Sequence, residues 1–300
     1  MKADMFQEIL EGLESPPKSI PSKYFQENPE VDPFHLNEYY FNRCEKEILS
    51  QHAHEIARAL PKEEFNLIEL GADPTGKSHI LISEFLKKKN FFNHYTIDPH
   101  AKSLEQIAHD LEENFPTLFA HGVKATALKG LRQITEINTK KKVLLLLGSQ
   151  LSQRSPEEML GFMQGLRSLT QAGDLILIGF PMKFVDQSSL KAQHHLKTLD
   201  HLNEKLTADF DSSYYKYIEV YNDMPATCEG FLVSTKNQKV HFIEAEREVE
   251  IGKNELIQTD AMALLNKEEI CLLMQSTGFK AVKFFYDKEK QFVDILIAAN

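Results

Sequence analysis

Residues 65–78, FNLIELGADPTGKS, constrain the fold more than any other stretch of the chain. An apolar run ends abruptly at Gly71, a turn-forming Asp-Pro-Thr-Gly follows, and helical periodicity begins at Lys77. This pattern predicts a strand, a tight loop and a helix. A glycine at a strand end lets a ligand approach the backbone because it has no Cβ, and the start of a helix favours negative charge. The stretch is therefore a candidate nucleotide-type binding site.

Two ligand chemistries compete for this loop. Gly71, Gly76, Lys77 and Ser78 fit the pattern G-x-x-x-x-G-K-[ST], in which lysine reaches the β- and γ-phosphates and serine binds Mg²⁺. Alternatively, Glu69-Leu-Gly71 in the same stretch matches the Glu-Leu-Gly end of the first strand in a Rossmann-like methyltransferase, where S-adenosylmethionine lies over the strand ends. The downstream sequence discriminates between the two interpretations.

An acidic residue follows the second predicted strand, and none follows a later buried strand. Asp98 lies at the end of the segment 91–97, at roughly the 20-residue distance where an acid accepts hydrogen bonds from a ribose diol. The later run 142–147 ends in Gly148 and Ser149 and carries no acid that would bind Mg²⁺. The pattern therefore favours a nucleoside ligand over a triphosphate.

Composition excludes several functional classes. The formal net charge of -10 and pI near 5.7 argue against a nucleic-acid surface or an anionic membrane as partner. The three cysteines are far apart in sequence, which predicts neither a disulfide framework nor a zinc site. No segment is typical of a signal peptide or approaches the roughly 18 apolar residues of a membrane span. We expect a cytoplasmic protein that acts on a small molecule.

The order of the predicted elements indicates an α/β fold followed by a different region. Strands and helices alternate up to about residue 180, which predicts a parallel sheet with right-handed crossovers. Ser155 and Pro156 are typical of a helix start, and we expect that helix to reach residue 171. After a helix at 188–206, short alternating segments predict antiparallel strands.

The chain closes with a predicted helix at residues 267–276 and a hairpin of two strands at 281–286 and 291–297. A terminal antiparallel hairpin on a parallel sheet is how the class I methyltransferase fold usually ends, which is a fold-level analogy.

Three histidines, His194, His195 and His201, lie in the predicted helix at 188–206. His194 and His201 fall on one helix face, but no nearby acid completes a metal-ligand set. We interpret the three as surface histidines and expect no metal site.

Motifs spread over nearly the whole chain resemble, in the same order, those of the histidine-specific methyltransferase family. That family contains the L-histidine Nα-methyltransferase of ergothioneine biosynthesis and resembles the fungal dimethylallyltryptophan N-methyltransferases. The motifs are PKSIPSKYF at 17–25, EYY at 38–40, Arg43, EIL at 47–49, ELG at 69–71, Lys77 and Ser78, LLGS at 146–149, ADFD at 208–211 and IQTD at 257–260.

The resemblance implies S-adenosylmethionine as cofactor and a set of residues around it. These residues are Tyr40, Gly71, Lys77, Asp98, Gly148 and Ser149. Two positions depart from the family pattern. Asp73 replaces the second glycine of the Gly-x-Gly turn, and Ala125 or Thr126 stands where the family has an acid that contacts adenine.

The substrate side departs further from the family. The resemblance implies that Tyr40 lies near both ligands and that Gln153 replaces an asparagine that holds the amino acid's amino and carboxylate groups. Gln26 replaces a tyrosine. Asp260 and Met262 replace the Glu and Ser that recognise imidazole. A site built to pair a polar group discriminates strongly when that pairing fails, so we expect an acceptor other than histidine.

We therefore expect a Rossmann-like class I methyltransferase core, mostly a parallel sheet with a C-terminal antiparallel hairpin, formed by residues 45–184 and 266–300. Residues 1–44 and 185–265 are expected to form a smaller, discontinuous α+β substrate domain. The expected reaction is N-methylation of a small amine or amino-acid-like acceptor without a covalent catalytic residue, since alignment alone provides effective molarities on the order of 10⁵ M. Two alternatives stay open: a non-catalytic binding protein on this fold, and a P-loop-type enzyme using residues 71–78.

Overall fold

The computed structural model describes residues 2–24, 37–73, 75–99 and 101–300. The chain divides into two compact units. Unit 1 comprises Met1–Tyr39 and Phe184–Ala263, and unit 2 comprises Tyr40–Lys183 and Leu264–Asn300. Gln26, one of the expected substrate-side departures, lies outside the described residues.

The described elements are as follows. The α-helices are α1 (Lys2–Glu14), α2 (Tyr40–Ala59), α3 (Lys77–Lys87), α4 (Ala101–Asn114), α5 (Ala127–Ile137), α6 (Pro156–Ser168), α7 (Ser188–Leu206) and α8 (Lys267–Ser276). The strands are β1 (Phe65–Leu70), β2 (Phe92–Asp98), β3 (Ala120–Lys124), β4 (Lys141–Leu146), β5 (Leu175–Pro181), β6 (Tyr215–Asp223), β7 (Ala226–Ser234), β8 (Gln238–Phe242), β9 (Arg247–Ile251), β10 (Leu256–Ala263), β11 (Phe279–Tyr286) and β12 (Phe292–Ala299).

Unit 2 contains a seven-stranded sheet in the order β11-β12-β5-β4-β1-β2-β3. Strands β1 to β5 pair in parallel, whereas β12 is antiparallel to both β5 and β11. Every residue of β1 and β5 is buried, as expected for apolar strands covered on both faces. The predicted α/β class I methyltransferase fold with a terminal antiparallel hairpin is confirmed.

The strand order of this sheet reverses at β1, which lies between β4 and β2. In open α/β sheets, ligands bind in the crevice outside the carboxyl ends of the strands at such a switch point. Gly71 follows the end of β1 and Gly148 follows the end of β4. The two glycine turns singled out in the sequence therefore mark the two sides of the position where this fold binds ligands.

Helix α6 starts as predicted and ends earlier than predicted. Ser155 and Glu158 form a reciprocal capping box, with Pro156 as the first helical residue. The helix ends at Ser168 rather than near residue 171. The reason lies in the following turn, where the Gln171 N–H donates to Asp174 Oδ2 at 2.9 Å instead of to a helical carbonyl.

Two elements were not predicted, and each has features visible only in the folded chain. Helix α5 contains Gly130, where an ideal Cβ would lie 2.4 Å from Ile97 Cγ2, so close packing on β2 explains a residue that weakens a helical pattern. Strand β10 pairs with β7 and has a register shift between Gln258 and Asp260. A bulge of this kind interrupts the alternation by which a strand is recognised.

Unit 1 packs α1 and α7 around small antiparallel sheets. One sheet has the order β10-β7-β6 and the other pairs β8 with β9, so the predicted antiparallel strands of this region are confirmed. The core includes Ile9, Leu13, Leu199, Leu202 and Phe242, all fully buried. None of the helices that the structure describes combines the length and apolarity needed to cross a bilayer.

The interpretation of His194 and His195 as surface residues was wrong. Both lie on the buried face of α7, and the His195 ring stacks on Tyr217 with centroids 4.2 Å apart. The two imidazoles belong to the buried stripe of α7 together with Leu199 and Leu202, so neither is a surface residue. Within the described residues, the one set of three side chains whose ligand atoms lie close enough together to hold a metal ion is His109, Asp110 and Glu113 on α4.

Candidate functional site

The turn after β1 is tied to the end of β2 through Asp98. Gly71 has a φ of +93°, in the left-handed region that favours glycine. The next residue, Ala72, donates its N–H to Asp98 Oδ2 at 3.0 Å. On the other side of Asp98, its carbonyl accepts from the N–H of Ala125 at 3.2 Å. The carboxylate expected to bind a ribose diol therefore lies directly beside the glycine turn.

The loop between Gly71 and α3 contains a carboxylate, that of Asp73, which accepts hydrogen bonds from the loop and from the start of α3. Asp73 Oδ1 accepts from the N–H and hydroxyl of Thr75 at 3.0 and 2.6 Å, and Oδ2 accepts from the Lys77 N–H at 3.1 Å. In a P-loop such N–H groups bind phosphate. Here a fixed carboxylate already takes them and would repel a phosphate. The geometry therefore opposes the triphosphate alternative.

Lys77 is enclosed at the start of α3 rather than extended into solvent. Its Nζ lies 2.7 Å from Glu45 Oε2 and donates to Asn42 Oδ1 at 2.9 Å, and the residue is 3% exposed. Burial alone would lower the pKa of Lys77, but the Glu45 and Asp73 carboxylates outweigh it, and the pKa lies above its usual value. The ammonium charge is therefore balanced inside the protein.

The turn after β4 adjoins this lysine. An ideal Cβ on Gly148 would lie 3.5 Å from Lys77 Nζ. Ser149 is buried, and its Oγ accepts from Gln153 Nε2 at 3.4 Å. The structure thus places Gly148 beside Lys77, with the hydrogen-bonded Ser149 and Gln153 following it in the chain. It places Gly71 and Asp98 at the neighbouring strand ends of the same edge.

Tyr40, the first residue of α2, lies at this edge as well. Burial is the largest of the effects that raise the pKa of the Tyr40 phenol to about 12. Cys44 and the carboxylates of Asp287 and Glu289, in the β11–β12 turn, raise it further in the same direction. The first residue of β12, Phe292, pairs with Pro181 at the carboxyl end of β5. Tyr40 is therefore a neutral hydroxyl group next to the carboxyl end of the sheet.

Asp260 and Met262 belong to unit 1, where Asp260 is already paired. Lys191 Nζ lies 3.0 Å from Asp260 Oδ2, and the Tyr217 hydroxyl donates to Asp260 Oδ1 at 3.2 Å. Burial alone would raise the pKa of Asp260, but the Lys191 ammonium outweighs it and the pKa lies below its usual value. Met262 Sδ accepts a weak hydrogen bond from the Tyr39 hydroxyl at 4.0 Å.

Lys191 also pairs with a second carboxylate. Its Nζ lies 2.7 Å from Glu219 Oε1, and Glu219 Oε2 accepts from the Gln187 N–H at 2.6 Å. His195 Nε2 lies 3.8 Å from Asp260 Oδ2, but burial lowers the pKa of His195 to about 3, so this imidazole is neutral. We call Lys191, Glu219, Asp260 and Tyr217 the Lys191 cluster.

With this geometry in place, comparison with known proteins decides the family. A model described as histidine-specific methyltransferase, SAM-dependent, matches residues 5–299. The chain belongs to this family. The resemblance predicted from the sequence is confirmed, as is S-adenosylmethionine, or SAM, as the cofactor of the family.

Individual relatives are distant. The histidine N-alpha-methyltransferase of Mycobacterium tuberculosis is 23% identical over 302 residues, covering 95% of this chain and 92% of that protein. The N-methyltransferase imqF of Aspergillus flavus is 24% identical over 313 residues, covering 96% of this chain and 83% of that protein. The glycopeptide N-methyltransferase MtfA complexed with SAM is a structural neighbour with a TM-score of 0.41 and 10% identity, covering 84% of this chain and 94% of that chain.

The edge of unit 2 fits the cofactor of this methyltransferase family. Asp98 offers a carboxylate beside the Gly71 turn, which suits a ribose diol. The loop that would otherwise attract phosphate is occupied by Asp73. The carboxylates at this edge therefore suit a nucleoside without a phosphate chain.

Sequence analysis did not identify Glu45 and Lys191 as buried, paired residues. In both cases the helix pattern contains an indication of this role. Glu45 lies among the buried Phe41, Ile48 and Leu49 of α2, and Lys191 lies on the buried stripe of α7. A charged residue on the apolar stripe of a helix indicates a buried ion pair, because such residues are rarely fully buried unless paired. The partners come from distant strands and loops, which the stripe alone does not identify.

Proposed function

We propose that this methyltransferase-family chain transfers a methyl group from SAM to the amine of a small, amino-acid-like acceptor other than histidine. Family membership and the hydrogen bond from the Ala72 N–H to Asp98, beside the Gly71 turn, support SAM as the cofactor. The observation that carries the acceptor half is the state of Asp260, whose carboxylate is bound by Lys191 and Tyr217.

The protein's role in this reaction is binding and alignment. SAM supplies an electrophilic methyl group on a sulfonium sulfur. Asp98 would accept hydrogen bonds from the ribose diol, while Tyr40, Ser149 and Gln153 offer polar atoms at the same edge for orienting the ligands. Alignment alone contributes effective molarities on the order of 10⁵ M or more. No covalent residue is required, and we assign none.

The acceptor half follows from the pairing of Asp260. A site rejects the wrong substrate strongly when its own buried polar group would be left without a partner. Asp260 has an ammonium and a phenol as partners within its own unit, so an imidazole is not needed to satisfy it. Met262 offers a thioether where the family has a serine hydroxyl, which further weakens selection for a polar ring.

Titration calorimetry with S-adenosylhomocysteine, or SAH, tests the cofactor half. We expect binding to the wild-type chain and a loss of about 10- to 100-fold in Asp98→Asn, because the amide replaces a charged acceptor by a weaker one. Glu63→Gln is the matched control, since Glu63 is an exposed carboxylate of the same unit. Absence of SAH binding by the wild-type chain would contradict the cofactor half.

A screen for SAH release from SAM tests the acceptor half. Free amino acids with apolar, aromatic and polar side chains, together with histidine, are supplied one at a time at equal concentration. We expect turnover with an acceptor other than histidine and a lower kcat/KM for histidine. Histidine as the best acceptor would contradict this half. SAH binding without turnover of any amine would instead favour the non-catalytic alternative.

A further inference from the structure

Glu45 is a fully buried acid on helix α2, and its carboxylate meets two separate elements of the unit 2 edge. Both of its oxygens accept from the N–H of Gly148, at 2.7 and 2.8 Å. One of them, Oε2, also lies 2.7 Å from Lys77 Nζ. One side chain thus joins the turn after β4 to the first residue of α3.

The space around this carboxylate is closed. An ideal Cβ on Gly179 of β5 would lie 2.5 Å from Glu45 Oε1 and 2.8 Å from the ring of Phe292. The absence of a side chain at Gly179 is therefore what admits the Glu45 carboxylate above β5. A carboxylate confined in this way has a fixed position rather than a range of positions.

The charges around Glu45 are balanced. Asp294 of β12 is fully buried in the same neighbourhood, and burial, then the Glu45 charge, raise the pKa of Asp294 well above its usual value. The protonated form of Asp294 is therefore favoured next to Glu45. The Lys77 ammonium lies 2.7 Å from the other side of this pair, at Glu45 Oε2.

We propose that Glu45 is a positioning residue for the cofactor: its carboxylate sets the distance between the Gly148 turn and the start of α3, and so shapes the crevice at the β1–β4 switch point. This inference rests on the proposed function, in which that crevice binds SAM. Glu45 acts through Gly148 and Lys77 and needs no contact with the ligand.

Glu45→Gln tests this role, because glutamine keeps the size of the side chain and one acceptor oxygen but loses the charge and the second acceptor. We expect SAH to bind about 10- to 100-fold more weakly, the loss that a shift of roughly 1 Å in a binding element produces. KM for SAM should rise by a similar factor with kcat little changed, since the lost interaction would affect ground and transition states alike.

Glu47→Gln is the matched control. Glu47 lies two residues further along α2 and is partly exposed beside Lys288, so the same chemical change there should leave SAH affinity within about twofold. The two proposals fail in different ways. No SAH binding by the wild-type chain contradicts the cofactor assignment, whereas normal binding by a folded Glu45→Gln variant overturns the role of Glu45.

Amide exchange of the wild-type chain, measured by NMR without ligand, provides a second test that needs no variant. If the Glu45 carboxylate holds the Gly148 turn, the Gly148 amide should exchange as slowly as the amides inside β4. A rapidly exchanging Gly148 amide would overturn the proposal, even if Glu45→Gln did not fold.

Discussion

Replacing Lys191 by methionine should destabilise the protein in a way that depends on pH. The side chain of Lys191 is 2% exposed and lies between Glu219 and Asp260, at 2.7 and 3.0 Å. Methionine keeps much of the side-chain volume and removes the charge. The variant therefore leaves two carboxylates close together in unit 1 without their cation.

Two energies set the size of this destabilisation: the loss of the buried ion pair and the cost of protonating the carboxylate left behind. Removing one partner of a buried ion pair typically costs 3–5 kcal/mol, taken as a rough range. The variant can also relieve the stranded charge by protonating Asp260, whose ordinary pKa is 3.8. At about 1.4 kcal/mol per pH unit, holding this carboxyl protonated at pH 7 costs about 4 kcal/mol. The expected loss in the free energy of unfolding at pH 7 is therefore about 4 kcal/mol.

The sign of the pH dependence separates electrostatics from packing. In the wild-type chain the pKa of Asp260 lies below its ordinary value of 3.8. The contribution of Asp260 to the free energy of unfolding is therefore present above pH 3.8 and is constant between about pH 5 and 7. In Lys191→Met burial would raise that pKa, so stability should be higher at pH 5 and fall as pH rises, by up to about 1.4 kcal/mol per unit.

Urea denaturation followed by circular dichroism at pH 5, 6 and 7 would measure these changes. Lys197→Met, at an exposed position of the same helix, is the control and should stay within about 0.5 kcal/mol of the wild type. Adding Asp260→Asn to Lys191→Met should recover part of the loss and flatten its pH dependence. A loss below about 1 kcal/mol at pH 7, or one that does not vary with pH, would refute the reasoning.

Two further predictions concern the edge of unit 2. Asp73→Ala removes the acceptor for the N–H groups of Thr75 and Lys77. The free energy of unfolding should fall by about 1–2 kcal/mol, as it does when a helix cap is lost. An unchanged melting temperature would contradict the role assigned to Asp73. Burial, then the Asp73 charge, raise the pKa of Glu69 from 4.5 to about 8. The contribution of Glu69 to folding stability is therefore fully present below pH 4.5 and is lost as the pH rises to 8. Glu69→Gln should therefore gain stability relative to the wild type from pH 5 to 8, by up to about 1.4 kcal/mol per unit in urea denaturation; a constant difference would contradict the shift.

The strands of the sheet were predictable because their sequence pattern and their environment agree. Strands β1, β4 and β5 are apolar runs that end at turn residues, and almost all of their residues are buried in the sheet. Gly71 and Asp98 were predictable for a related reason. In a parallel sheet, residues that follow neighbouring strands meet at one edge, so the positions of the strand ends were enough to place them together.

The polar interactions of the site were not predictable, because they join segments far apart in the chain. Lys77 was expected among the residues around the cofactor, and its observed partners are Glu45 and Asn42 of α2. Asp260 was expected in contact with the acceptor, and it is paired with Lys191 and Tyr217. Whether Asp260 also contacts an acceptor stays a prediction, as does the division into cofactor and substrate domains.

The Lys191 cluster also bears on how selective the chain can be. Strong discrimination, on the order of 10⁴- to 10⁵-fold, arises when a wrong substrate leaves a buried polar group unpaired. Because Lys191 and Tyr217 satisfy Asp260 without any ligand, an acceptor with an apolar side chain would leave no stranded carboxylate in this cluster. A side chain with a positive charge would instead have to compete with Lys191 for the same oxygens. If Asp260 faces the acceptor, as we propose, selection at this position is weak for polar groups, and the acceptor screen should rank leucine or phenylalanine above histidine.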